Sequence, residues 1–154
     1  MTAPTLHHAR QAGPSGCLWH ATYALTGEDW LLAMADLADN PLYWRVVLYE
    51  AGALVVPLYR EPLPRPEFAW EHIRANMTSD QAALLVTLDT RPLHMIAVLY
   101  PKDPHGVVLV SDSQRDGVKG YDGELFHAVY GSRALGIDML ASANPDAHPL
   151  RAEP

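Results

Sequence analysis

One side chain in this chain of 154 residues is a strong nucleophile whenever it ionises: Cys17, the single cysteine. A thiol attacks as its thiolate, and a helix N-terminus favours that anion through unpaired amides and the helix dipole. The local sequence predicts such a setting. Gln11-Ala-Gly-Pro-Ser-Gly breaks regular structure with two glycines and a proline. At Cys17 it gives way to an apolar pattern of helical period, Leu18-Trp-His-Ala-Thr-Tyr-Ala-Leu25. The competing reading of a lone cysteine is a small buried hydrophobe. Gln11, six residues before Cys17 across the Gly/Pro loop, is placed to donate its side-chain amide to an oxyanion, beside the backbone amide of the cysteine.

A thiol nucleophile needs a base that also holds the thiolate as an ion pair and later protonates the leaving group. Of the eight histidines, His94 fits best, because it opens an apolar strand (Leu93-His-Met-Ile-Ala-Val-Leu-Tyr) far from Cys17 in sequence. Asp112 ends the next strand, and adjacent antiparallel strands bring two such residues together at one end of a sheet. There an aspartate fixes the histidine tautomer and stabilises the imidazolium. His20, three residues after Cys17, shares its helical face and reads as a wall of the substrate site rather than as the base. Trp19 is expected to line the cleft. His7 and His8 read as solvated, and no set of His, Cys, Asp or Glu has zinc-ligand spacing.

The elements that must position these residues follow from hydrophobic period and breakers. Gly27 closes the helix begun near Cys17. Glu28 to Ala38 forms a second helix, and Pro41 to Glu50 a third that Gly52 ends. Leu54-Val-Val-Pro-Leu-Tyr59 is extended, with Pro57 requiring an edge or a bulge. Pro66 to Asn76 is a short helix with proline in its first turn. Apolar runs at Ala82 to Leu88, Leu93 to Tyr100 and Val107 to Ser111 are strands, the last two joined as a hairpin by Pro101 to Gly106. Asp122 to Tyr130 suits a helix and Ala134 to Leu140 a final strand. Helices first and an antiparallel sheet second define an α+β fold in a single domain over residues 11–142, with frayed ends at 1–10 and 143–154.

Gln11-x5-Cys17 with an aromatic nearby, a strand-opening His94, a hairpin and a strand-ending Asp112 together resemble the papain-like cysteine peptidases. The likeness is to compact bacterial members, the leader peptidase domains of bacteriocin exporters and the effector proteases of plant pathogens. Gly120 to Tyr130 is similar to the short helix that follows the aspartate-bearing strand in those families. One departure is that Leu18, not an aromatic, directly follows the cysteine; Trp19 comes second. The resemblance implies a papain-like fold, with N-terminal helices packed on a C-terminal antiparallel sheet, and a Cys17–His94–Asp112 triad with Gln11 in the oxyanion hole. It implies hydrolysis of a peptide or amide bond in a protein or peptide substrate, as by a bacterial effector or toxin. Glutamine deamidation or acyl transfer on the same fold, and a non-catalytic papain-like module acting as inhibitor or adaptor, are the other readings.

Composition limits the partners. Hydrophobic residues make up 49% and charged residues 19%, ordinary for a globular chain. The formal charge is −7 with scattered basic residues, which argues against nucleic acid, because phosphate neutralisation needs clustered Lys and Arg. There is no phosphate-cradling glycine motif, and no cofactor is implied. One cysteine forms no internal disulfide, so the fold does not depend on an oxidising compartment. No apolar run approaches the ~18–20 residues that a membrane helix needs, and the N-terminus has no signal-peptide core. A cytoplasmic protein, or one secreted by a signal-independent route, is the expectation, with the oligomeric state open.

Overall fold

The computed structural model describes residues 6–12, 16–37, 44–50, 52–61 and 66–142. The order of elements is α1 (Cys17–Thr26), α2 (Trp30–Leu37), α3 (Trp44–Glu50), β1 (Ala53–Arg60), α4 (Pro66–Ala75), β2 (Gln81–Leu88), β3 (His94–Pro101), β4 (Val108–Ser111), β5 (Val118–Tyr121), α5 (Gly123–Val129), a 3-10 turn (Gly131–Arg133) and β6 (Ala134–Ser142). The six strands form one sheet in the order β1-β6-β2-β3-β4-β5, with every neighbouring pair antiparallel.

The alternation of side chains along β3 explains the two layers. Met95, Ala97 and Leu99 join Trp19, Leu25, Trp44 and Leu48 in a core on one face. Ile96, Val98 and Tyr100 join Trp70, Ile73, Phe126 and Tyr130 in a core on the other. A strand covered on both faces loses the polar positions of a half-solvated one, and all eight residues of β3 are buried. On the first face the contact is made by small residues, Ala21 and Ala24 of α1 in one cluster with Ala83 and Ala97 of the central strands. Small side chains on both partners let α1 lie close to the sheet, which sets its first residue, Cys17, beside the end of β3.

The structure is mixed α+β, as the sequence predicts, and the β3–β4 hairpin and the helix at 123–129 fall where expected. The sheet is not wholly C-terminal, however. β1 precedes α4 and returns to the edge of the sheet against β6, with the pairing interrupted between Pro57 and Tyr59. Proline cannot donate to a ladder, so an irregular edge strand is where it belongs. Nor are the helices confined to the N-terminal half, since α4 and α5 supply the second layer. Residues 6–10, read as a frayed and solvated start, are tied down: His7 N donates to Ala24 O at 2.8 Å and Arg10 pairs with Asp116. The proposed start of the third helix at Pro41, and the ends at 1–5 and 143–154, lie outside the described residues.

Candidate active site

Gly16 turns the chain into α1. Its φ of 94° lies in the left-handed region, and a Cβ there would meet Ala35 Cβ of α2 at 3.0 Å, so both conformation and space call for glycine. Its carbonyl accepts from the amides of Trp19 and His20, each at 3.1 Å, and from His20 Nδ1 at 2.8 Å. Cys17 is therefore the first residue of a ten-residue helix, with its thiol at the positive end of the dipole.

His94 opens β3 and is buried. Its Nε2–H donates to Asp112 Oδ1 at 2.7 Å, which leaves Nδ1 as the nitrogen that faces the thiol of Cys17, with which the ring also hydrogen-bonds. Burial works against charge on this imidazole, yet the hydrogen bonds to Asp112 and Cys17 and the charges of both partners outweigh it. The pKa is raised from 6.5 to about 9. Thiol, imidazole and carboxylate thus meet in the order the sequence predicts, and His94 is held as imidazolium through neutral pH.

Asp112 follows β4 directly and is anchored on every side. Oδ1 also accepts the Gln114 amide at 3.0 Å, closing an Asx turn, and Oδ2 accepts the Tyr130 hydroxyl at 3.1 Å. Arg115 Nε lies 3.6 Å from Oδ2. Burial alone would lift the carboxyl pKa; the bond to His94, the Gln114 amide, the imidazolium charge and Tyr130 bring it below its ordinary value instead. Burial, together with the neighbouring Asp112 charge, pushes the Tyr130 phenol up, so it stays a donor.

Gln11 is held by the residue after the aspartate. Its amide N–H donates to Ser113 O at 2.8 Å, and the Ser113 hydroxyl donates to Gln11 Oε1. With Oε1 held as the acceptor of the Ser113 hydroxyl, the donor end of this side chain is its NH2 group. His8 reinforces the same junction: its Nε2–H donates to Arg115 O at 2.8 Å and its Nδ1 pairs with the Ser111 hydroxyl at 2.8 Å. The N-terminal segment and the loop after β4 are thereby joined on either side of the triad.

Two expected substrate contacts fare differently. Trp19 is 1% exposed and belongs to the core under α1, so it has no surface to offer a substrate. Its helical position, two residues after Cys17, turns it toward the sheet. His20 is half-buried and spends Nδ1 on Gly16 O, as a wall of the loop. Ser113 and Tyr130 were not singled out from the sequence. Ser113 carried only its adjacency to Asp112, and Tyr130 read as the end of a helix. Among the described residues no group of three or more His, Cys, Asp or Glu is arranged to hold a metal ion, and no helix is long and apolar enough to cross a membrane. Compared with protein-family models and with curated proteins, the chain matches none.

Proposed function

We propose that this protein is a cysteine hydrolase of papain-like type that cleaves a peptide or amide bond in a protein or peptide substrate. The observation that carries this reading is the relay from Cys17 through His94 to Asp112, with Gln11 held by Ser113, the residue after Asp112. A buried histidine bonded on one side to a carboxylate and on the other to a thiol at a helix N-terminus is the arrangement that makes a thiolate–imidazolium pair.

The chemistry follows from the geometry. The Cys17 thiolate attacks the substrate carbonyl carbon, and the C=O π electrons move to oxygen. The Cys17 backbone amide and the Gln11 side-chain amide stabilise that oxyanion. Collapse of the intermediate breaks the C–N bond as the His94 imidazolium gives its proton to the leaving amine. The neutral imidazole then takes a proton from water, which attacks the thioester and restores the thiol pair. Asp112, ionised throughout, keeps Nε2 protonated and the ring in plane with the reaction.

The test is alkylation of Cys17 by iodoacetamide as a function of pH, with adducts located by mass spectrometry. A full-rate thiolate at pH 6 supports the proposal, and a thiol inert until about pH 8.5 sinks the ion pair. Incubating candidate protein targets with wild type and with Cys17→Ala then identifies the bond cleaved. If the biological effect survives Cys17→Ala, the chain acts as a binding module instead.

A further inference from the structure

At the end of the sheet where His94 stands, a cavity of about 320 Å³ opens between the first turn of α1, the start of α3 and the ends of β1, β3 and β6. Its walls are built by the neighbours of both reacting residues: Leu18 follows Cys17, and Leu93 and Met95 flank His94. A substrate whose carbonyl lies at Cys17 would therefore put a nearby side chain into this cavity. We infer that the cavity is the specificity pocket of the hydrolase proposed above, and that it selects an acidic side chain with an aliphatic stem, glutamate above all. This assignment rests on the hydrolase reading.

The argument is an account of which polar groups in the pocket are already satisfied. Asp138 lies on β6 and is buried, and its carboxylate is paired with Arg60 Nη2 at 2.5 Å. Arg60 also gives Nη1 to Tyr59 O at 2.8 Å, so its guanidinium is committed to the fold and the pair adds no net charge. Arg45 has no such partner. It is exposed, sits 5.5 Å from the centre of the Trp44 ring, and makes no ion pair with a carboxylate among the described residues. Trp44 itself is buried, and its ring backs the Arg45 guanidinium. What the pocket offers is thus one cation that no carboxylate of the described residues meets.

The leucines and Met95 suit a short methylene stem, and Arg45 suits the carboxylate at its end. A leucine side chain would fill the apolar walls and leave Arg45 without an anion. A lysine would bring its ammonium against Arg45. The protein as a whole carries a charge of −7, so the preference comes from this local cation and not from a general basic surface.

The test uses two sets of peptidyl chloromethyl ketones, acetyl-Ala-X-CH2Cl and acetyl-X-Ala-CH2Cl, with X as Glu, Leu or Lys. The Cys17 sulfur bonds to the methylene carbon and chloride leaves, so each reaction adds one fixed mass to the full-length chain. Rates are divided by each protein's own iodoacetamide rate. In at least one set, Glu should react about threefold faster than Leu and about tenfold faster than Lys, the scale of an ion pair at a solvated rim and its reversal. Arg45→Gln should level Glu with Leu, and Arg45→Glu should put Lys ahead of Glu. Leu at or above Glu in both sets, or an order that Arg45→Glu leaves unchanged, overturns the pocket assignment. Iodoacetamide separates the two claims. A thiolate at pH 6 without a Glu preference removes only the pocket, and a thiol inert at pH 6 removes the hydrolase and the pocket with it.

Discussion

Ser113 and Gln11 hold each other across 102 positions of sequence, the serine hydroxyl donating to Gln11 Oε1 and the glutamine backbone N–H donating to Ser113 O at 2.8 Å. An amide side chain presents a donor or an acceptor depending on a half-turn of its last torsion. The serine decides that half-turn and fixes NH2 as the donor end. Gln11→Ala is expected to slow turnover of a p-nitrophenyl ester about 100-fold, the scale of losing one oxyanion donor. Ser113→Ala should cost about tenfold, because Gln11 remains but is free to flip. Burst kinetics of p-nitrophenolate release measure both, and a Ser113→Ala protein as fast as wild type would show that the hydroxyl does not orient the amide.

His94 sets the alkaline side of the pH profile. Its pKa in the folded protein, about 9, lies above the ordinary 6.5, so the charged form persists through neutral pH and is lost as pH rises through about 9. The active pair requires both the thiolate and the imidazolium. Activity should therefore rise on the acid side as Cys17 deprotonates, hold across neutral pH, and fall with a midpoint near 9. The imidazole resonances of His94 should titrate near the same pH by NMR. In Cys17→Ala the midpoint should move down, since one hydrogen bond and one charge that support the imidazolium are gone. An unchanged midpoint would mean that thiol and ring do not interact.

Tyr130 ties the carboxylate to the layer of helices behind the sheet. It is buried among Tyr121 and Phe126, and its hydroxyl reaches Asp112 Oδ2 at 3.1 Å. Tyr130→Phe keeps the ring and removes the donor. A hydrogen bond to a charged group is worth about 2 kcal/mol, so urea unfolding at pH 7 should show a loss of that size. Asp112 is depressed in the folded state, so its contribution is present above its ordinary pKa and is lost as pH falls through the folded value. Without Tyr130 that folded value rises toward the ordinary one, so the acid-dependent part of the stability should shrink and its loss should be complete at higher pH. Asp112→Asn should do more: His94 moves back toward its ordinary pKa and ester turnover falls about 100-fold or beyond.

That Cys17, His94 and Asp112 come together was legible in the sequence because each stands at a boundary between elements. Cys17 follows a Gly/Pro loop and opens a helix, His94 opens an apolar strand, and Asp112 closes one. Boundaries of that kind are written in local periodicity and breakers, and the topology then brings them together. What was not legible depends on contacts over long separations. β5 is four residues with only Tyr121 buried, too short and too exposed to show a strand period. Tyr130 carries an ordinary helix-end pattern, and nothing local says that its hydroxyl meets Asp112. Trp19 was misread because an aromatic beside a nucleophile suggests a cleft wall, whereas the turn of α1 carries it into the core. Residues 6–10 lack any apolar period, and are ordered by polar bonds from His7, His8 and Arg10 that no periodicity encodes.

Arg60 and Asp138 give a test of the fold at the mouth of the site. Arg60 is 43% exposed at the end of β1, and Asp138 is 3% exposed on β6. Removing the arginine strands a buried carboxylate, which costs far more than the pair contributes, because the charge has already left water. Arg60→Met should therefore destabilise the protein by roughly 2–3 kcal/mol, somewhat less than the roughly 3–5 kcal/mol of a fully buried pair, since solvent reaches the arginine side. Replacing both partners, Arg60→Met with Asp138→Leu, should recover most of that loss, as apolar groups of similar size leave no charge behind. Chemical denaturation of the two single variants and the double variant closes the cycle. The single Arg60→Met variant should also lose the preference for glutamate reagents, because the stranded Asp138 opposes Arg45 in the same pocket. Equal stability of the single and double variants would show that Asp138 is satisfied by groups other than Arg60.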